Sequence, residues 1–207
     1  LVLNTHLCAQ ACSRSTCRNQ DTTEMYAKYK SREEYTLKKT STLASNFAAK
    51  CVVGGKIQHI TLENFAGNYL VVIFISGNFN SNVASELCDF NRIVESLDKL
   101  NCKLVAVSAD SVESNFAWYH APTSNNGLNE SIDFPIIGDR SMRICRSYGV
   151  AVEHKGCAVK CIYLIDPRRT IRAVINLDND LSFSTTEVIR LIRELHELDR
   201  AQSSNQE

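Results

Sequence analysis

The apolar residues of this chain fall into short continuous runs and into helical periods, which polar loops separate. Residues 70–75 are six apolar residues, mostly β-branched or aromatic, and such a run predicts a strand buried on both faces. A polar loop with Gly77 follows, and apolar residues then recur at steps of three and four, which predicts an amphipathic helix over residues 83–100. A buried strand therefore leads into a helix N-terminus, a position that stabilises anions.

The rest of the pattern alternates strands and helices. Further predicted elements are a hairpin that turns at Gly54 and Gly55 within residues 44–62, a strand at 103–108, a helix capped by Ser111 and running through His120, a short helix at 140–148, a strand at 157–166, an antiparallel strand at 170–177 and a helix from Ser184 to about Arg200. A helix connects the strands at 70–75 and 103–108, so these two are expected to be parallel. The order implies an α/β fold with a mixed sheet and helices on both faces.

The composition fits one domain with an ample core and gives no charge-based case for a nucleic-acid partner. Apolar residues make up 44% of the 207 residues, and 23 basic residues balance 23 acidic ones. No apolar run approaches the length of a membrane span, so no membrane partner is expected. Residues 1–42 are polar and without a sustained period and are predicted to form an N-terminal arm; residues 43–201 form the domain, and residues 202–207 fray.

Two features bear on the cellular compartment. The chain starts at Leu1, and the apolar residues within positions 1–11 fit either the end of an export signal or the start of a mature chain. Asn129-Glu130-Ser131 is an N-glycosylation sequon, which has a meaning only in an exported protein. The expected location is secreted or the lumen of the endoplasmic reticulum, with the cytoplasm as the alternative.

Nine cysteines, an odd number, leave at least one thiol free or bonded to another chain. Three of them, Cys8, Cys12 and Cys17, lie in the arm, with His6 just before the first. One hypothesis is a zinc site, but the spacing matches no familiar zinc finger. The favoured interpretation is that these cysteines cross-link subunits in an oxidising compartment or have no role. No metal site and no cofactor are therefore expected.

The strand–loop–helix unit at residues 70–100 resembles the active-site segment of the peroxiredoxins, which are thiol peroxidases of thioredoxin-like fold. In that family the strand leads to a proline, then after three residues a threonine, and after two more the peroxide-attacking cysteine, followed by Pro-Thr-Glu. An ungapped alignment places Ser76 at the proline, Asn80 at the threonine and Val83 at the cysteine, while Glu86 matches the glutamate. Only a thiolate attacks peroxide, and valine has no ionisable group. The resemblance thus implies the frame of the site without its reactive atom.

Two family arginines near that site are also replaced. Lys160 aligns with the arginine that lowers the pKa of the thiol, and it keeps the charge without the planar fork that binds two oxygens. Phe183 aligns with the second arginine and carries no charge. No resolving Val-Cys-Pro motif follows the last predicted helix. If the fold buries Glu86, Lys160 is its expected partner.

The resemblance covers residues 44–201 with one small insertion. It implies the thioredoxin-like, three-layer peroxiredoxin fold, with a mixed central sheet and helices on both faces. Family members dimerise by pairing the edge strand equivalent to residues 170–177, and the alternating apolar residues there (Ile171, Ala173, Ile175 and Leu177) fit a covered edge. A homodimer is therefore expected, with a ring of dimers or a mixed oligomer with active homologues as further possible assemblies.

Three functions stay open from the sequence. The first is a peroxiredoxin homologue that has lost thiol peroxidase activity, a pseudoenzyme that acts through oligomerisation or binding as a structural or regulatory partner. The second is a thioredoxin-dependent thiol peroxidase that works through a non-standard cysteine. The third is a chaperone-like holdase, which needs oligomeric surface and no catalytic cysteine.

Two cysteines are singled out for redox or intersubunit roles. The exported branch of the family has an N-terminal arm with a cysteine that forms intersubunit bonds, and Cys17 is the best candidate for its counterpart here. Cys161 is the thiol nearest the altered pocket, although adjacent residues on a strand, here Lys160 and Cys161, face opposite sides. Cys157 lies four residues away on the predicted strand, ~13 Å between Cα atoms, which is too far for a disulfide with Cys161.

Overall fold

A computed structural model of the chain describes residues 35–204, and these form a mixed sheet with helices on both faces. The strands are β1 (Ala48–Val53), β2 (Lys56–Thr61), β3 (Tyr69–Ile75), β4 (Cys102–Ser108), β5 (Ile136–Gly138), β6 (Ala151–Val152), β7 (Cys157–Ala158), β8 (Cys161–Ile165) and β9 (Ile171–Asn176). The helices are α1 (Ser81–Asn91), α2 (Val94–Asp98), α3 (Val112–His120), α4 (Arg143–Tyr148) and α5 (Thr185–Ser204), with 3₁₀ turns at Leu62–Phe65 and Thr123–Asn125.

Seven strands form the main sheet in the order β2-β1-β5-β4-β3-β8-β9, and β6 pairs with β7 in a small second sheet. β3 is parallel to β4, as predicted, and antiparallel to β8. The hairpin between β1 and β2 turns at Gly54 and Gly55, as predicted, and both have positive φ angles, 55° and 68°. Two such residues make the type I′ turn, whose twist matches that of the flanking strands.

β3 lies at the centre of the fold, and all seven of its residues are buried. Its side chains alternate between two cores on opposite faces of the sheet: Tyr69, Val71, Ile73 and Ile75 on one face, and Leu70, Val72 and Phe74 on the other. Residues of α1, α2, α3 and α5 cover the first face, while α4 and the turn at Leu62–Phe65 cover the second. Apolar side chains on both faces make this strand one continuous apolar run in the sequence.

The predicted helix over residues 83–100 is wrong in its continuity. α1 begins two residues earlier, at Ser81, and ends at Asn91, and α2 starts only at Val94. The Asn91 side chain exchanges two hydrogen bonds with Asp133, at 2.9 and 2.8 Å, and these bonds fasten the end of α1 to the loop before β5. The apolar period continues across the break, so the sequence pattern does not reveal it.

The predicted strand over residues 157–166 is likewise interrupted. Cys157 belongs to β7 in the small sheet, whereas Cys161 starts β8 in the main sheet. The two cysteines therefore do not share one strand, and the separation derived from that assumption does not apply. The short helix predicted at 140–148 begins at Arg143, because the Asp139 carboxylate accepts a bond from the backbone N–H of Cys145 and holds the preceding residues in a turn.

β9 is an edge strand, as predicted for residues 170–177. A bulge in its pairing with β8 leaves Arg172 without an opposite residue. Ile171 consequently packs into the second core, whereas Ala173 and Ile175 pack against the first. Ile171 therefore does not share a face with Ala173 and Ile175, because the extra residue of the bulge reverses the faces of the side chains that follow it.

Residues 35–44 lie against the start of this edge. The backbone N–H of Ser41 donates to the carbonyl of Ile171 at 2.8 Å, and the N–H of Ile171 donates to the carbonyl of Thr42 at 2.9 Å. From residue 172 to residue 176, no backbone of another described residue pairs with the outer edge of β9. A strand edge with an unpaired backbone is a template for pairing with another strand.

A polar cluster fastens α5 to the sheet. The Asp199 carboxylate on α5 accepts bonds from the Tyr69 hydroxyl and from Arg172, the latter at 2.8 Å. Arg172 also donates to the buried carboxylate of Asp166 at 3.2 Å. Burial opposes ionisation of Asp199, but the hydrogen bonds from Arg172 and Tyr69 outweigh it and lower the pKa of this carboxyl. Between residues 35 and 204, every helix is too short or too polar to span a membrane.

Candidate functional site

The loop that follows β3 carries the first group of predicted site residues to the start of α1. Ser76 is half-buried at the end of the strand, and Asn80 is exposed and occupies the N-cap of the helix. The Asn80 side-chain oxygen accepts from the backbone N–H of Asn82 at 2.9 Å and of Val83 at 3.4 Å. Asparagine is a preferred N-cap residue because its side chain reaches these groups.

This cap changes what the helix N-terminus can bind. Free N–H groups at such a position, together with the helix dipole, stabilise an anion such as a thiolate. Here the N–H of Val83 already donates to the chain's own amide oxygen. The Val83 side chain is only 7% exposed and packs in the core on the first face of the sheet. The position therefore presents a buried hydrocarbon and a satisfied donor.

Glu86 and Lys160, which the sequence analysis paired, form a buried ion pair. Lys160 Nζ lies 2.6 Å from Glu86 Oε1, and the two residues are 6% and 9% exposed. Glu86 is one helical turn beyond Val83, so both lie on the same face of α1. Charged side chains are almost never buried unless they are paired. The pair brings residue 160, just before β8, against the first turns of α1.

Phe183 completes this cluster from the segment before α5. Its backbone N–H donates to Glu86 Oε1 at 3.2 Å, and Lys160 Nζ lies 5.2 Å from the centre of its ring. This distance is within the range of a cation–π interaction. Lys160 also donates to the carbonyl of Leu181. Three of the predicted positions, Glu86, Lys160 and Phe183, therefore form one packed group around the lysine ammonium.

This arrangement has a clear chemical consequence. The ammonium of Lys160 is engaged by a carboxylate, a carbonyl oxygen and an aromatic face. Binding an incoming anion there would require breaking a buried ion pair, because the same cation would have to leave Glu86. The geometry therefore favours structural use of this cation over ligand binding.

The thiol of Cys161 is not activated by its neighbour Lys160. Its side chain lies in the core on the second face of the sheet, opposite to the ion pair, and burial raises its pKa to about 12. Burial also raises the pKa of Cys102 to about 12 and that of Cys51 to about 11. Cys88 on α1 is half-buried, and desolvation likewise raises its pKa. A reactive thiol needs the opposite shift.

The remaining predicted residues lie elsewhere. Cys17, with the other arm cysteines and His6, lies outside the described residues. Cys161 forms no disulfide with any other described cysteine. In the described part of the chain, no group of three or more His, Cys, Asp or Glu residues is arranged to hold a metal ion.

A second polar cluster, which the sequence analysis did not single out, lies where β3 and β4 end. Ser108 Oγ donates to the side-chain oxygen of Asn78 at 3.0 Å, and Asn78 donates to Asn115 on α3 at 2.8 Å. The backbone N–H of Asn78 donates to Asp110 at 3.0 Å. Polar residues directly after neighbouring parallel strands are the sequence signal for such a cluster. Its members satisfy one another, and they anchor the loop that positions Asn80 and α1.

Comparisons with known proteins agree with this fold. The model of the AhpC/TSA family matches residues 40–174. Peroxiredoxin 2 of Drosophila melanogaster is 31% identical over 157 residues, which cover 76% of this chain and 80% of that protein. The mitochondrial thioredoxin-dependent peroxide reductase of Bos taurus is 33% identical over 150 residues, covering 72% of this chain and 58% of the bovine protein.

Solved structures give the same architecture. The reduced 2-Cys peroxiredoxin of Plasmodium vivax aligns with a TM-score of 0.74 and 21% identity, covering 78% of this chain and 83% of that structure. The AhpC of Enterococcus faecalis aligns with a TM-score of 0.72 and 21% identity, covering 78% and 94%. These likenesses, with the mixed sheet between helices, identify the fold as thioredoxin-like and confirm that prediction.

Proposed function

Because the chain belongs to the AhpC/TSA family of peroxiredoxins, we propose that it is a member without peroxidase activity that acts as a structural or regulatory binding partner. Relatives of the chain are named as peroxiredoxins and as thioredoxin-dependent peroxide reductases. The observation that carries the proposal is Val83, a buried hydrocarbon side chain at the position where the family alignment expects the peroxide-attacking cysteine.

The surroundings of Val83 support the same conclusion. A peroxidase site needs a cation that lowers the pKa of its thiol and donors that hold the peroxide oxygens. Here the Lys160 ammonium lies 2.6 Å from the Glu86 carboxylate, and Phe183 replaces the second expected cation. The Asn80 side chain also accepts a hydrogen bond from a backbone N–H at the start of α1. The loss of one residue would leave such a site repairable, whereas several coordinated departures favour abandoned catalysis.

The alternative, a thiol peroxidase that uses another cysteine, has less support. Cys51, Cys102, Cys145 and Cys161 are buried, and burial raises the pKa of each thiol above its ordinary value. At neutral pH such thiols are protonated and are poor nucleophiles. Enzyme activity through one of these four cysteines would therefore need local opening of the domain.

The proposed mode of action is assembly. The outer edge of β9 has unpaired backbone from residue 172 to residue 176 among the described residues, which suits pairing with the same strand of a second copy. We propose a homodimer through this edge, with a ring of dimers or a mixed oligomer with active homologues as larger forms. The proposed location is secreted or the endoplasmic reticulum lumen, where arm cysteines such as Cys17 would form intersubunit bonds.

The experiment is peroxide consumption by the purified chain with thioredoxin or dithiothreitol as reductant, beside an active peroxiredoxin. The expected rate equals that of buffer alone. Turnover above buffer that disappears when one cysteine is alkylated would establish the enzyme alternative instead.

Light scattering in reducing and oxidising buffer tests the assembly. A strand-paired dimer has the same mass in both buffers. A dimer that becomes a monomer on reduction would show that cysteines, and not the β9 edge, hold the subunits together.

A further inference from the structure

The sequon Asn129-Glu130-Ser131 has no part in the site described above. It lies in the loop that joins α3 to β5, just after the 3₁₀ turn at Thr123–Asn125. All three residues of the sequon are exposed. The loop is fastened at its base by buried apolar residues, since Leu128 and Ile132 on either side are fully buried. The motif is thus displayed on a fixed surface turn.

Hydrogen bonds hold the backbone of the sequon in place, whereas no described residue binds the Asn129 side-chain amide, the group to which a glycan would be attached. The N–H groups of Asn129 and Glu130 donate to the carbonyls of Ala121 and Tyr119, at 2.9 and 2.8 Å. Both residues adopt left-handed conformations, with φ angles of 48° and 59°. Ser131 Oγ donates to the backbone carbonyl of Asn129 at 3.2 Å. Among the described residues, none forms a hydrogen bond with the Asn129 side-chain amide.

Other asparagines of the domain differ in one of these respects. Asn91 is engaged through both ends of its amide by Asp133, and Asn115 is fully buried. Asn126 is exposed and left-handed like Asn129, but Gly127 and Leu128 follow it, so it is not part of a sequon. Exposure, a free amide and a hydroxyl residue two positions later coincide at Asn129.

We propose that Asn129 carries an N-linked glycan on the exported form of this chain. The inference rests on the export part of the proposed function and is independent of the proposed loss of catalysis. The donor is an oligosaccharide carried on a lipid pyrophosphate. A bond forms between Asn129 Nδ2 and the anomeric carbon of the sugar, the bond from that carbon to the pyrophosphate oxygen breaks, and the amide gives up one proton. Nothing is oxidised or reduced.

The position leaves the proposed dimer edge clear. The sequon leads into β5, and three strands, β4, β3 and β8, separate β5 from β9. Adjacent strands lie ~4.8 Å apart, so the two strands are ~19 Å from each other across the sheet. The loop also meets the C-terminal end of α1 through Asp133 and Asn91, at the opposite end of that helix from Val83. A glycan here is compatible with strand pairing at the edge.

The test is expression of the full chain behind an added secretory signal in a eukaryotic cell, followed by treatment with peptide-N-glycosidase. We expect one mobility shift on treatment and an aspartate at position 129 by peptide mass spectrometry. S131A removes the sequon and leaves the left-handed residues Asn129 and Glu130 unchanged, and it should abolish the shift. N129Q should abolish the shift as well. N126Q, a matched exposed left-handed asparagine outside the sequon, should keep it.

A secreted wild-type chain whose Asn129 peptide is unmodified would overturn the proposal, as would a shift that persists in S131A. The added signal makes the modification independent of the chain's own targeting, so a failure at Asn129 is distinguishable from a failure of the export proposal. Peroxide assays of the same preparations report on the catalytic proposal separately.

Discussion

Replacing Lys160 with methionine removes the ammonium from the buried ion pair and keeps a similar side-chain length. Glu86 is then left as a buried carboxylate whose remaining partner among the described residues is the N–H of Phe183, at 3.2 Å. The carbonyl of Leu181 loses its donor at the same time. We expect K160M to lower the free energy of unfolding substantially, because an unpaired charge in this position cannot reach water without disturbing the core.

The size of the effect follows from burial. The side chains of Lys160 and Glu86 are 7% and 11% exposed. Removing one partner of a pair buried to this degree costs about 3–5 kcal/mol. For a domain of this size each kcal/mol lowers the melting temperature by about 2–4 °C, so a decrease of about 6–20 °C is expected.

The assay is urea unfolding followed by circular dichroism, with two companion variants. K103M removes an exposed partner of Asp98, in a pair whose side chains are each 47% exposed, and should cost about 0–1 kcal/mol. The double variant E86Q/K160M removes the buried charge and keeps an acceptor for Phe183, and it should recover about 2 kcal/mol relative to K160M. If K160M lost no more stability than K103M, the ion pair would not be the buried structural contact described here.

Three further predictions concern catalysis and pH. V83C alone should consume peroxide at least about a hundredfold more slowly than an active family member, because the loss of a single hydrogen-bond donor to a transition state lowers an enzyme's rate by about that factor. A rate close to that of the active member would show that the pocket is intact. The free energy of unfolding should fall as pH rises above 9.0, because burial raises the pKa of Cys161 to about 12 while the thiol of the unfolded chain ionises normally. C161A should therefore reduce the slope of unfolding free energy against pH, measured by urea unfolding, by up to about 1.4 kcal/mol per pH unit. An unchanged slope would contradict the burial argument. Asp199 is desolvated, but hydrogen bonds from Arg172 and Tyr69 lower its pKa below the ordinary 3.8. Its contribution to the free energy of unfolding is therefore present above pH 3.8 and is lost as pH falls through the pKa of the folded state. D199N should remove this part of the acid unfolding transition, and an unchanged acid midpoint would refute the contact.

The elements that the sequence predicts well are those whose residues have one environment throughout. β3 is buried on both faces, so its apolar run indicates a central strand without further information. The hairpin at Gly54 and Gly55 and the Ser111 cap are local chemistry, and both occur as predicted. The Glu86–Lys160 contact was predictable because a buried carboxylate requires a partner, and the family alignment placed one lysine opposite it.

The elements that the sequence misses depend on tertiary contacts. The gap between α1 and α2 coincides with bonds from Asn91 to Asp133, two residues that are 42 positions apart. The bulge that turns Ile171 to the other core changes no composition, and alternation alone implies a regular strand. The cluster around Asn78 joins three separate segments, and its polar residues resemble ordinary loop residues in the sequence.

The most direct test of the proposed loss of catalysis is peptide mass spectrometry of all nine cysteines after a brief exposure of the reduced chain to stoichiometric hydrogen peroxide. Peroxiredoxin chemistry requires a thiolate that becomes a sulfenic acid or a disulfide. Our account predicts that every cysteine stays a thiol on the timescale in which an active peroxiredoxin is fully oxidised. Rapid and complete oxidation of any one cysteine, whether Cys161 or a cysteine of the arm, would contradict it.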